Sequence, residues 1–487
     1  MKKILFVAAG AIILLIAVLV TRTVMIGADT SIAVTPIQYE FYDGEAIAER
    51  LGEAVRIRTI SWGDGRTPDA NAFGAFAAFL ERAYPAAHEA MTVERAGGYS
   101  LIYRWKGADA AQKPVGFIAH MDVVPVEQGT EDQWTRPPFS GDIHDGALWG
   151  RGSLDDKGHL MPIFEAIERL AASGFAPSRD IYLLIGHDEE LGGPNGAAAI
   201  AETLKARGVH FAFTLDEGSG VVDGLVPGVD KPVALISTAE KGSITLRFTA
   251  RAEGGHSSAP QPDTAVSLAA RAVVAASDHP FPAKIDANVT AFLHAIAPEL
   301  PFFNRMLLSN LWLTDHMVKT RLMKDPVTAA SLHTTTAPTM IEGGAKSNIL
   351  PQNAYAIINY RIHPRDSVQS VRDRAQRLAG GDIAIEVLSS QEPSPQSSIK
   401  SDAYKAIADT TAMIFGPVPV APSLTLQGTD SKHYVDLADD NYRFTPFIYE
   451  NADLKRIHGT DEHVSLENLA RAAAWYEAFI RKTAGAP

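Results

Sequence analysis

The stretch GFIAHMDVVP, residues 116–125, opens as a buried strand opens and ends on two polar side chains. Its apolar start predicts an interior strand, Pro125 stops it, and His120 and Asp122 fall two positions apart just before the stop. Residues i and i+2 of a strand point to the same face, so both side chains can look into one cavity. A satisfied polar pair at a strand end reads the same way, so the pair alone decides nothing. Its surroundings decide more.

From about Tyr39 to Ile236, short apolar runs alternate with amphipathic helical stretches: SLIYRW (100–105), VGFIAHM (115–121), GHLMPIFEAIERLAASG (158–174), DIYLLIG (180–186) and FAFTLD (211–216). That alternation predicts an α/β domain with a mostly parallel central sheet, and such sheets bind ligands beyond the carboxyl ends of their strands. The polar residues fall there: His120 and Asp122, then Asp188 to Glu190, then Asp216. From Lys241 the period changes. SITLRFTARAE (243–253) alternates as a half-exposed strand does, and a helix, two strands, a helix and a strand follow, the order of a small ferredoxin-like α+β domain. An insert rich in Phe, Leu, Met and Trp, about residues 281–331, separates its first helix from its second strand. After Pro393 the first pattern resumes. The reading is therefore an N-terminal segment (1–30), a catalytic-type domain in two parts (31–240 and 392–487), and an inserted domain (241–391).

At 487 residues the chain exceeds what one core serves, which agrees with two domains. Its 44 Lys and Arg against 57 Asp and Glu, a net charge of −13, describe an acidic body with no basic face for nucleic acid. There is no cysteine, so any metal must be held by His, Asp and Glu. Lys2 and Lys3 precede an unbroken apolar run from Ile4 to Val20. That run reads as a single-pass anchor of the cytoplasmic membrane with the body outside the cytoplasm, or alternatively as a signal segment cleaved to leave a secreted or periplasmic protein.

Three further motifs carry acids or a histidine. WGRGSLDDKGHL (149–160) sets Asp155 and Asp156 between glycines ahead of a helix, where a carboxylate either caps the helix or is aimed inward by an unusual backbone. GHDEELGG (186–193) puts Glu189 and Glu190 at a strand tip, and RIHGTDEHV (456–464) supplies His458 from the resumed domain. Two histidines and several carboxylates without thiolates suit zinc, cobalt or manganese, and a shared carboxylate can bridge two ions. Such a site polarises a carbonyl and acidifies a water, and one unligated carboxylate must take the proton.

HMDVVP, GRGSLDDKG, GHDEE, LDEG, GGHSSAP, SNILPQNAYAIINYRIHP and IHGTDEHV, in that order, resemble the M20 metallopeptidase family in its carboxypeptidase S and N-acyl-amino-acid hydrolase branch. The resemblance covers nearly everything from residue 40 onward. It implies a zinc-peptidase-like α/β domain interrupted by a ferredoxin-like lid or dimerisation domain, and two divalent ions, zinc with cobalt or manganese as alternatives. By it His120, Asp155, Glu190, Asp216 and His458 are metal ligands with Asp155 bridging, Asp122 orients His120, and Glu189 is the general base. From the lid, His256 stabilises the oxyanion, and Asn348 and Arg361 hold the substrate, Arg361 through its carboxylate. Gly428 and Thr429 lie in a loop near the substrate, and the Asp155-Asp156 peptide is cis. Asp461 and His463 stand where relatives often carry Asn and Arg. The apolar insert is read as packed core, as a lining for an acyl chain, or as a contact with the membrane. The implied activity is cleavage of the amide bond of a peptide's C-terminal residue or of an N-acyl amino acid, by a monomer or homodimer. The alternative is a catalytically silent binding protein on the same fold, which lost ligands or a replaced base would mark; every position here carries a competent residue.

Overall fold

In the computed structural model, which describes residues 2–27, 42–63 and 65–485, the strand that ends at His120 lies inside a ten-stranded mixed sheet. Helix α1 (Lys2–Gly27) comes first, and the expected boundary at residues 30 and 31 falls outside the described residues. There follow α2 (Gly44–Arg56), β1 (Met91–Ala96), β2 (Ser100–Trp105), β3 (Val115–His120), α3 (Lys157–Ala172), β4 (Ile181–Gly186), β5 (Phe213–Asp216), β6 (Val221–Val222) and β7 (Val233–Glu240). All residues of β3 and β4 are buried, which is why both read as unbroken apolar runs rather than alternating ones. β3 runs parallel to β4 and to β5, so the carboxyl ends of all three reach one rim, with His120 paired to Gly186. Antiparallel pairs at β1, β2 and β7 make the sheet mixed around this parallel centre.

The chain then builds a second, smaller sheet. Its elements are β8 (Gly242–Arg251), α4 (Ala265–Asp278), the insert helices α5 (Ala287–Ile296), α6 (Phe302–Ser309) and α7 (Leu311–Leu322), β9 (Thr335–Gly343), β10 (Asn353–Ile362), α8 (Val368–Ala379) and β11 (Ile383–Gln391). The spatial order β9-β10-β8-β11, antiparallel throughout, is the ferredoxin-like arrangement. In β8 buried and half-buried residues alternate because one face is covered by α4 and α8, and Ile244, Leu246, Phe248, Ile358 and Val371 form a separate core there. Of the insert only Phe281, at its start, joins that core. Val289, Leu293, Ile296, Leu308 and Val318 pack into the core of the large body.

The last segment returns to the large body as α9 (Asp402–Phe415), β12 (Val420–Thr425), β13 (Asn441–Arg443), β14 (Ile448–Tyr449) and α10 (Leu466–Ala484). β13 lies parallel beside β5 and β12 parallel beside β7. The insert is fastened to this returning part, where the Asn288 amide donates to the Ser423 carbonyl of β12. Helix α10 carries the largest fully buried side chain, Trp475, whose indole N–H donates to Thr411 Oγ1 of α9 at 3.0 Å while its ring stacks on Phe479 at 4.7 Å.

Because Trp475 is fully buried and packs α10 onto α9, Trp475→Ala is expected to destabilise the protein by about 3–5 kcal/mol. The check is the denaturant midpoint, which should fall.

Candidate metal centre

The rim at the ends of β3, β4 and β5 gathers acids that water would ordinarily keep apart. His120, the last residue of β3, is buried and held from three sides. Its backbone N–H donates to Asp156 Oδ2 at 3.0 Å, its Nδ1 faces the Asp122 carbonyl at 3.0 Å and Asp122 Oδ1 at 3.3 Å, and its Nε2 points across the rim. Asp122 is wholly buried and also accepts the backbone N–H groups of Glu189 and Glu190, each at 3.2 Å. One carboxylate thus aims the histidine and sets the turn that carries both glutamates.

Asp155 joins two histidines from distant parts of the chain. Its Oδ1 lies 3.0 Å from His120 Nε2 and its Oδ2 lies 3.1 Å from His458 Nε2. Glu190 Oε2 adds a contact of 3.2 Å on the His458 side, while its other oxygen is buried without a hydrogen-bond partner among the described residues. The Asp155-Asp156 peptide is cis, as the family resemblance implies. Glycine is required beside it: a Cβ on Gly158 would come within 1.8 Å of the Ser153 carbonyl oxygen, and Gly152 sits at φ +88°.

At the end of β5, Asp216, expected as a ligand, is not brought to the histidines. The Asp216 carboxylate turns away from the histidines and accepts from the Ser431 backbone N–H at 2.7 Å, the Ser431 hydroxyl at 2.9 Å and the Glu217 N–H at 2.9 Å. The next residue, Glu217, reaches His120 instead, with Oε1 at 3.3 Å from Nε2. Two groups therefore have the composition and spacing to hold a cation: His120, Asp155 and Glu190, and His120, Asp156 and Glu217. The acidic pair in LDEGSG was the only sign of Glu217 in the sequence, and which of the two acids turns inward depends on Ser431, far away in the chain.

The electrostatics match the crowding. Burial, with Asp156 and Asp155 adding to it, pushes the Glu217 carboxyl well above the usual range. Burial likewise raises Glu189 strongly, with Glu217, Asp430 and Glu190 contributing. Against burial, Glu217, Asp122 and Asp155 hold His120 well above its ordinary value, and hydrogen bonds to Asp155 and Glu190 raise His458 to about 10. Among the described residues no lysine or arginine pairs with Asp155, Glu190 or Glu217, and the imidazoles of His120 and His458 are the groups that face them. An unpaired buried carboxylate oxygen beside such a cluster fits a divalent cation, for which these donors are the right chemistry.

A second layer, not singled out in the sequence, fixes the first. Glu462 is fully buried; its Oε1 accepts the N–H groups of Gly152, Leu154 and Asp155 at 3.0, 2.8 and 3.2 Å, and its Oε2 pairs with Arg151 at 2.6 Å. Arg151 also donates to the carbonyls of His458 and Gly459, pinning a histidine held at φ +60°. Asp461 accepts from the Thr135 N–H and hydroxyl, and His463 stacks on Trp149 at 3.9 Å, so both departures from the family pattern brace the His458 loop. Thr429 is buried and donates from N–H and hydroxyl to Glu240, with Gly428 half-buried beside it. On the small body His256, Asn348 and Arg361 are exposed, His256 facing Ser258 Oγ at 2.8 Å, and none of the three contacts the cluster.

The chain is similar to known proteins over most of its length. A model of peptidase family M20/M25/M40 matches residues 116–482. A probable carboxypeptidase S-like protein of Dictyostelium discoideum is 37% identical over 443 residues, 90% of this chain and 85% of that one. An N-fatty-acyl-amino acid synthase/hydrolase of Xenopus tropicalis is 35% identical over 451 residues, 90% of this chain and 86% of that one. Among solved structures, an M20 family metallo-carboxypeptidase from Sulfolobus solfataricus superposes with a TM-score of 0.63 at 19% identity, covering 89% of this chain and 98% of its own, a likeness of fold. With the family model spanning His120 through His458 and two relatives aligned over nine-tenths of its length, the chain belongs to peptidase family M20/M25/M40.

Proposed function

We propose that the chain is a dinuclear, zinc-dependent amide hydrolase that removes the C-terminal residue of small peptides or the amino acid of N-acyl amino acids. The observation that carries this reading is Asp155, whose two oxygens face histidines from opposite sides, with Glu217 beside one and Glu190 beside the other. His120 and Glu217 would hold one ion, His458 and Glu190 the second, and Asp155 both. Bound there, the ions would supply Lewis acidity toward the amide carbonyl and acidify water. Asp122 keeps His120 oriented through Nδ1. Glu189, next to the ligand Glu190 and raised by burial, is the residue to take the proton from water and return it to the leaving nitrogen. The names of the relatives support the two substrate classes, carboxypeptidase and N-fatty-acyl-amino acid hydrolase. In this reading His256, Asn348 and Arg361 reach the substrate when the small body closes over the rim, or from a second copy of the chain. Helix α1, the one described helix long and apolar enough to cross a membrane, is read as the anchor of an extracytoplasmic body.

The deciding assay is hydrolysis by the full chain of a panel of N-acyl amino acids and blocked dipeptides. Chelation should abolish turnover and zinc restore it, and Glu189→Gln should lower kcat about 100- to 10,000-fold with the metal content intact. A fully active Glu189→Gln would remove that residue as the base. Metal analysis separates the two acids at the end of β5. Glu217→Ala is expected to lose an ion per chain whereas Asp216→Asn keeps both, and the opposite result would return the ligand to Asp216. Glu462→Gln should weaken metal binding by about 10- to 100-fold, read by competition with a chelating dye, because it loosens the turn that presents Asp155.

A further inference from the structure

Helix α1 is fastened to the insert, and the place where it is fastened says where the membrane lies. The Arg22 guanidinium donates to the Ser309 carbonyl at 3.2 Å, and the Asn310 amide donates to the Leu19 carbonyl at 3.3 Å. Thr23 is fully buried at this joint, whereas every residue of the helix from Lys3 to Val18 is exposed. The joint is the corner between α6 and α7. The two helices that meet at that corner leave Phe302 and Phe303 of α6 and Trp312, Leu313 and Met317 of α7 exposed, Phe303 74% and Trp312 58%. Val289, Leu293, Ile296, Leu308 and Val318 of the insert are buried in the large-body core, whereas this outer set lies outside both cores among the described residues.

The length of the helix ties the two observations together. Ile4 to Val20 is 17 residues. At about 1.5 Å per residue this unbroken apolar part rises about 25 Å of a hydrocarbon core of about 30 Å, so the rest of the crossing falls to the stretch of α1, up to Gly27, that the body grips. The body cannot stand off from the bilayer to make up the difference, because it grips the helix at Leu19 and Arg22. The difference is met if the α6–α7 corner itself enters the interfacial layer, where Trp and Phe are favoured; the indole N–H of Trp312 donates to Asn310 Oδ1 there.

We propose that the α6–α7 corner of the insert is a membrane-docking surface, which seats Phe302, Phe303, Trp312 and Leu313 in the lipid interface beside the anchor. The proposal rests on the reading of α1 as a membrane anchor. Docking holds the large body against the bilayer at two points, the helix and the corner. Through the Asn288 bond to Ser423 it fixes the orientation of β12, the strand that leads into the Thr429 loop. A single helical tether would leave that orientation free.

The test is bromolipid quenching of tryptophan in the full chain reconstituted into phosphatidylcholine–phosphatidylglycerol vesicles. Trp312 is the tryptophan at the corner, and the other five, Trp62, Trp105, Trp134, Trp149 and Trp475, belong to the large body. Brominated lipid is expected to lower the emission of the wild-type chain, and Trp312→Phe, a mild change at an exposed site, should abolish that drop. No drop, or an equal drop in both proteins, would overturn the docking surface. So would a drop that depends on protein concentration and vanishes on dilution, which would assign the patch to a second copy of the chain. Alkaline washing of the same vesicles keeps the two readings apart. A chain that stays in the vesicles with Trp312 unquenched loses only the docking surface, and a chain released by the wash loses the anchor and with it the docking surface.

Discussion

The site depends on one carboxylate shared by two histidines. Asp155 meets the imidazole at the tip of β3 with one oxygen and, with the other, an imidazole that arrives only after the whole small body has been built. Like charges gather around it, and what keeps them there is a set of backbone donors spent on acids outside the cluster. Asp122 takes the N–H groups of Glu189 and Glu190, and Glu462 takes three from the turn that carries Asp155. Hydrogen bonds from N–H groups to a buried carboxylate are strong and directional. They place the neighbouring acids without neutralising them, and the remaining negative charge asks for a cation.

The same economy separates the two bodies. Each sheet has its own apolar core, and the insert, although it interrupts the small body in sequence, contributes to the core of the large one. The N-terminal helix is therefore fastened, through α6 and the corner that follows it, to the body that carries the candidate metal centre. The small body, with His256 and Arg361 on its surface, is joined to that body through Gly242, where β7 passes into β8, and through the return after Gln391.

Much of this was legible in the residues. β3 and β4 read as unbroken apolar runs because both their faces are covered, and β8 reads as an alternation because one of its faces is not. The ferredoxin-like order followed from the sequence of periods. His120, Asp155, Glu190 and His458, named from motifs, do come together on one rim. The Asp216 and Glu217 pair was not legible. Adjacent acids at a strand end differ only in direction, and the direction is chosen by Ser431, which captures the first and leaves the second facing His120. Glu462 was hidden for a similar reason: in IHGTDEHV it looks like any surface acid, and only its burial against Arg151 and three N–H groups reveals it as a brace.

By itself the sequence determined which segments become strands and helices, that any metal must be held without thiolates, and that the acids fall at strand ends. These follow from local periodicity, composition and the geometry of parallel sheets. Only the tertiary structure decided which acid of a pair faces the histidines, which buried charges brace rather than bind, and which core the insert joins. Those choices turn on partners distant in the chain, Ser431 for Asp216, Glu462 for the Asp155 turn and Ser309 for Arg22, and a contact between distant segments leaves no period in a sequence.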